Sequence, residues 1–372
     1  MALKGIKVLE FAGLAPGPFC GMILADFGAS VLRIDKVNNN TNLDVLSNGK
    51  QSLAVNLKSP EGIDIIKQLS KEYDVLIEPF RAGVMENLGI GPKILLENNP
   101  KLIYARLTGF GQDGPYSKRA GHDINYIGLS GLLSMFSRVN EKPMFPANLA
   151  ADFGGGGLMC AMGILMALYE RTNSGLGQIV DCNMVEGSSY LGSWLLRSQK
   201  LPIWGNKPGE NVLDSGAHFY EVYETKDGKY VTVGPLEMQF YKELLDGLEL
   251  EELDYFDFKN GKEVLTKIFL TKTRDEWSKI FDEKDACVFP VLTAEEATEH
   301  KHTKCNFMKD ETTVIPKPGV KLSRTPAKTT AFKKSPQCGE DSIDVLKDLG
   351  YSEENIWNLC KKGIIKTHKS KL

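Results

Sequence analysis

Among its 372 residues the chain has five histidines and seven cysteines, and neither residue type is arranged to hold a metal. The cysteines, at 20, 160, 182, 287, 305, 338 and 360, are odd in number and never form a CxxC pair. That scatter speaks for a reducing compartment and against a zinc site. His300, His302 and Cys305 share the polar stretch EEATEHKHTKCNF, which reads as a solvated loop or helix end. Net charge is nearly absent: 45 Lys and Arg against 48 Asp and Glu leave −3, no electrostatic case for nucleic acid. Long apolar runs are missing too. No stretch reaches the eighteen uninterrupted apolar residues of a membrane span, and the best candidate, 157–169, reads as a buried helix. The strand-like run from Ile6 to Phe11 leaves no room for a cleavable signal.

The length fits two domains. Strands are expected over 6–11, 31–34, 74–78 and 102–107, and helices over 17–28, 60–72, 83–88 and 92–98. This alternation implies a parallel sheet covered on both faces, with ligands beyond the carboxyl ends of its strands. From about residue 205 the pattern changes. Runs over 217–224 and 229–233, joined by Lys226-Asp227-Gly228, predict a hairpin, followed by helices at 238–247, 261–270 and 274–281. Residues 309–335 read as an extended return and 341–362 as helical. The expected organisation is a Rossmann-like α/β domain over 1–200, completed by 325–372, and a smaller α+β domain over 205–320. GFGQDG at 109–114 matches G-x-G-x-x-G, but Pro115 follows and no apolar helix begins there, so a nicotinamide cofactor is not expected.

Two residues carry the chemical signal. His122 lies in GHDINY between the basic loop SKRAGHD and an apolar segment, and Asp152 precedes four consecutive glycines. A His and an Asp facing each other across a small-molecule site can take a proton from one face of a carbon and return it to the other. Each could instead be a helix cap. Four glycines exceed what a cap requires and suggest that a ligand or another backbone comes close. Glu237, after the hairpin, opens a helix, where N-terminal stabilisation would account for it. Methionines 135, 144, 159, 162, 166 and 184 surround the His–Asp region, suiting either a core or a site for varied acyl chains. The chain closes on Ser370-Lys371-Leu372, a peroxisomal address read by an import receptor.

The segments LEFAGLAPGPFCGMILADFGASVLRIDK, DVLIEPFRAGVMENLGIGP, PKLIYARLTGFGQDGP, GHDINYIGLSGLLS, ADFGGGGLMCAMGILMALYERTNSGLGQIVDCNMVEG and KDACVFPVLT together resemble the racemase branch of the family III CoA-transferases, from about residue 1 to about 350. The resemblance implies that family's fold and an interlocked homodimer. It implies racemisation of 2-methyl-branched acyl-CoA thioesters, (2R) to (2S), feeding the β-oxidation of branched-chain fatty acids and bile acid intermediates. No metal or redox cofactor is implied, since CoA arrives as part of the substrate. The implied compartment is the peroxisome, with the mitochondrion as a second.

His122 and Asp152 are the implied acid–base pair, with Glu237 hydrogen-bonding His122, reaching it from the other chain if the subunits interlock. Lys36, Val55, Asn56, Leu57, Lys58 and the loop Gly121, His122, Asp123, Ile124, Asn125, Tyr126 are implied to line the CoA path, with Arg81 and Arg106 as further candidates. A backbone N–H near Asp123 is implied to meet the enolate oxygen. Animal members usually carry arginine where this chain has Lys36, which keeps the charge without the bidentate fork. Two alternatives stay open: a transferase of the same fold using Asp152 as nucleophile, in which His122 would be idle, and an acyl-CoA carrier without catalysis.

Overall fold

The computed structural model describes residues 1–38, 43–309 and 313–368. They fall into two compact units, Met1–Ser130 with Pro146–Leu191 and the chain from Pro316 on, and Gly131–Phe145 with Gly192–Ile315. The stretch Gly131–Phe145, expected in the first domain, groups with the second. Ser370-Lys371-Leu372 lies outside the described residues.

The first unit is built on β1 (Lys7–Phe11), α1 (Pro16–Asp26), β2 (Ser30–Asp35), β3 (Gln51–Val55), α2 (Pro60–Glu72), β4 (Val75–Glu78), α3 (Val84–Asn87), α4 (Pro92–Asn98), β5 (Ile103–Thr108), α5 (Asp123–Leu129), α6 (Met159–Ser174), β6 (Ile179–Asn183) and α7 (Met184–Leu191). The strands pair parallel in the order β3-β2-β1-β4-β5-β6, and a short strand, Ile365–Lys366, adds antiparallel to the β3 edge. Alternate residues enter two cores. Leu9, Phe11, Leu32, Ile34 and Leu76 pack with Ile65, Ile66 and Leu69 of α2, while Val8, Val31, Val75, Ile77 and Ile103 pack with Leu24 of α1 and Ile164 of α6. That is the period-two pattern of a sheet buried on both faces.

Two strands have too little apolar alternation to be read from sequence. In β3, Ser52 is fully buried because its hydroxyl donates to Asp35 at 2.6 Å and its oxygen accepts the Gly339 N–H at 2.9 Å. In β6, the edge position leaves Ile179 and Asp181 exposed.

The buried helix expected over 157–169 is longer and only half covered. Helical backbone runs from Leu149 to Ser174, long and apolar enough to cross a membrane by length and composition, with 44% of its most apolar stretch buried within the protein. Cys160, Ala161, Ile164 and Ala167 face the core. Met162, Leu165, Met166 and Tyr169 are exposed.

In the second unit, strands Glu221–Glu224, Tyr230–Val233 and Val288–Pro290 form an antiparallel sheet against the helices Met238–Gly247, Phe258–Phe269 and Arg274–Phe281. The first strand starts at Glu221, not at Ala217 as expected. His218 is turned inward instead, its Nε2 paired with the Tyr241 hydroxyl at 2.7 Å, and burial pushes its imidazole down to about 4.

Candidate active site

Strand order reverses between β1 and β4, and a cavity of about 380 Å³ opens beyond their carboxyl ends. This is the switch point where sheets of this kind bind ligands. Its wall is formed by the turn Ala12–Pro16 after β1, Pro79–Arg81 after β4 and Leu107–Phe110 at the end of β5 and just beyond it, together with residues from α5 and the segment ahead of α6. Ala15, in the first turn, holds a left-handed φ of 52°, a conformation that costs a non-glycine residue on the order of 1 kcal/mol.

His122 and Asp152 both line this cavity. His122 is the exposed residue capping the start of α5. Its carbonyl accepts the Asn125 N–H at 2.8 Å, and its own N–H donates to the Asn125 side chain at 3.1 Å. Because α5 begins at Asp123, its first amides have no acceptor within the helix. Tyr126, one turn on, donates its hydroxyl to the Gly121 carbonyl, and its ring lies edge-on to Phe110 at 5.0 Å. A Cβ at Gly109 or Gly121 would overlap that ring, so both glycines are required by close approach.

Asp152 does not open an α-helix. It sits inside a π-helical segment, Leu149–Leu158, that runs into α6. π-Helical turns are rare and concentrate at functional sites. The four glycines let neighbouring backbone close in: a Cβ on Gly155 would strike the Ser188 amide nitrogen of α7, and one on Gly157 would strike the Pro16 carbonyl of α1. The half-buried carboxylate is pushed above the ordinary aspartate range, first by loss of water and then by the charge of Asp123. The Asn148 amide, 3.5 Å away, and the nearby His122 pull it back.

The CoA candidates separate into two groups. Arg81, Gly121, His122 and Tyr126 line the cavity. Lys36 follows β2, Val55 ends β3 and residues 56–58 follow it, all outside the cavity wall. Val55 is buried in the core, Leu57 packs against that core, and Asn56 is held by the Ile364 carbonyl, which accepts its N–H at 2.7 Å. Only Lys36 and Lys58 of that group present exposed cations. Ile124 and Asn125 are exposed on α5, and Asp123 is buried. Arg106 must be corrected: it is buried, donates to Glu78 at 2.8 Å and to Glu86 at 2.7 Å, and has no fork left for a phosphate.

Glu237 belongs to the second unit, where it is exposed at the start of the helix Met238–Gly247 and makes no side-chain capping bond. Its place at the helix start fits N-terminal stabilisation through the helix dipole. Of the methionines, Met184 lines the His122–Asp152 cavity, while Met135 and Met144 line a cavity within the second unit.

Sequence reasoning missed Asn148 and Arg119. The Asn148–Asp152 spacing of four residues was a usable signal. Arg119 lines the cavity, lies 5.0 Å over the Tyr116 ring, and like Arg81 pairs with no carboxylate among the described residues. Arg33, Arg106, Arg138, Arg171 and Arg274 each pair with a carboxylate, a difference visible only in three dimensions.

Residues 3–342 match the CoA-transferase family III model, and the chain belongs to that family. It is 50% identical to the α-methylacyl-CoA racemase of Mus musculus and 49% identical to that of Homo sapiens, each alignment covering 100% of this chain and 99% of the relative. A CAIB/BAIF family protein from Brucella suis has the same fold, with a TM-score of 0.78 at 23% identity, covering 93% of this chain and 99% of the other.

Proposed function

We propose that the protein is an isomerase that racemises 2-methyl-branched acyl-CoA thioesters by removing and returning the α-proton. The observation that carries this is the placement of His122 and Asp152 on one cavity wall system at the switch point of the sheet. The half-identity to two racemases over their full lengths supports it.

In this reading one of the two groups takes the α-proton and the other delivers a proton to the opposite face, their roles exchanging with the hand of the substrate. An aspartate pushed upward suits both roles better than an ordinary one. The enolate oxygen meets the free amides that open α5, by Asp123. The thioester lowers the barrier, because sulfur donates poorly into the carbonyl and the enolate is less costly than an ester's. Two side chains supply all the proton traffic, so the scheme calls for no metal or redox cofactor, and CoA enters with the substrate. Arg81 and Arg119 are cations open to its anionic groups, with Lys36 and Lys58 at the ends of β2 and β3 as further ones.

Glu237 orients His122 from a second copy of the chain. The apolar stripe running from Leu158 into α6, with Leu158, Met162, Leu165, Met166 and Tyr169 all exposed, supports such an assembly. Delivery to peroxisomes through Ser370-Lys371-Leu372, with a mitochondrial pool as a second location, would set the reaction among those that prepare branched acyl chains and bile acid intermediates for β-oxidation.

The test is incubation of one 2-methylacyl-CoA epimer in deuterated water, following α-deuterium uptake and stereochemistry together. Uptake with loss of configuration is expected. The rival reading makes Asp152 the nucleophile of a CoA-transferase, forming an acyl anhydride. CoA transfer to an added carboxylic acid without α-deuterium uptake, with hydroxylamine trapping the acylated Asp152 as a hydroxamate, would establish the rival.

A further inference from the structure

Asp123 follows His122 directly, yet its side chain turns away from the solvent that His122 faces and is 4% exposed. One carboxylate oxygen, Oδ2, accepts two backbone N–H groups, from Ala151 at 2.8 Å and from Asp152 itself at 2.7 Å. Both donors lie in the first turn of the π-helical segment, where backbone amides have no partner within the helix. The residue next to one proposed acid–base group thus holds the backbone of the other.

The second oxygen, Oδ1, is buried and has no hydrogen-bond partner among the described residues. A tether needs only one oxygen, and a neutral amide could provide it. A carboxylate with one oxygen unpartnered in the interior is a costly choice for a cap alone. What the acid adds over an amide is negative charge placed beside Asp152.

We infer that Asp123 is a positioning residue for Asp152: its carboxylate fixes the Asp152 backbone against α5 and sets a negative charge beside the Asp152 side chain. The inference rests on the reading of Asp152 as one of the two proton-transfer groups. A like charge nearby disfavours ionisation, the same direction as burial. The other groups acting on Asp152 are His122 and the Tyr126 phenol, both on or capping α5, and the Asn148 amide of its own segment. From the other sides α1 and α7 meet this glycine-rich segment with the uncharged Pro16, Phe19, Met184, Gly187 and Ser188, and the cavity that Asp152 lines also carries the cations of Arg81 and Arg119.

The test compares Asp123→Asn and Asp123→Ser with the wild type. Both variants keep an oxygen able to accept the backbone N–H groups and remove the charge. The readouts are the melting temperature and the pH profile of kcat/KM for α-proton exchange on a 2-methylacyl-CoA. Removing the charge lowers the Asp152 pKa, so the acid limb should move down by about one pH unit in a folded protein. Because the overall equilibrium between epimers is fixed, the limb should move equally for both. An acid limb unmoved in either folded variant overturns the inference, and so does failure of both variants to fold, which would make Asp123 a stability residue only. Asp152→Asn separates this from the reading beneath it. If Asp152→Asn still exchanges the proton at the wild-type rate, the assignment of Asp152 itself falls. If it does not, and the Asp123 variants leave the limb in place, the inference falls alone.

Discussion

The carbonyl of Gly155 occupies the space that a side chain on Gly187 would need. Helix α7 therefore lies directly against the π-helical segment that carries Asp152. Gly187→Ala forces the two backbones apart, at a cost of roughly 1–3 kcal/mol of the kind found for overpacked interiors. The expected outcome is a lower melting temperature together with a loss of exchange larger than the loss of folded protein. Wild-type activity and stability in Gly187→Ala would show that the segment yields without moving Asp152.

The arginines divide by partner. Arg106 is buried between Glu78 and Glu86, and burial pushes Glu78 up to about 7 despite the ion pair. Arg106→Leu leaves Glu78 without its counter-charge and is expected to destabilise the fold by about 3–5 kcal/mol, read as the shift in denaturant midpoint. Arg81→Ala and Arg119→Ala remove cations that pair with no described carboxylate. They are expected to leave the midpoint in place and to raise KM for acyl-CoA several-fold. If these arginines bind the phosphates of CoA, the matching thioester of pantetheine, which has none, should show no such change. An equal loss on pantetheine thioesters would place their role elsewhere.

That His122 and Asp152 share one cavity agrees with what the family resemblance implied for them, and the parallel sheet was legible because strands alternate with helices along the first half of the chain. What was hidden depends on pairings distant in sequence. Arg106 resembles a phosphate ligand until Glu78 and Glu86 are seen on either side of it. Ser52 and Gln51 obscure β3 because a polar residue inside a sheet is allowed only by partners such as Asp35 and Gly339. The glycines after Asp152 announced a close approach without saying to what, and the answer is backbone from α1 and α7. Asp123 was read as part of a binding loop, and nothing local shows that its carboxylate reaches the Asp152 amide.

Removing Ser370-Lys371-Leu372 tests the address separately from the chemistry. A receptor-read signal takes no part in packing, so the truncated enzyme should keep its exchange activity while a fluorescent fusion, with that terminus free, moves to the cytosol. A truncated protein that still enters peroxisomes, expressed without a full-length copy, would assign the targeting to another segment.

The proposal that Glu237 serves His122 of a second chain makes a stoichiometric prediction. His122→Ala and Glu237→Ala should each be severely impaired when prepared alone, the second by loss of the group that orients the imidazole. Refolded together at equal concentration, half of the dimers pair one variant with the other. In each such dimer one site lacks both residues, while the other combines an intact His122 with an intact Glu237. Activity should therefore return to about a quarter of the wild-type level per chain. If Glu237 acted within its own chain, no pairing could assemble a complete site, and the mixture would show only the average of the two variants. Blocking the apolar stripe with Met166→Glu and Tyr169→Glu should abolish this recovery, together with the dimer, if that face of α6 is where the copies meet.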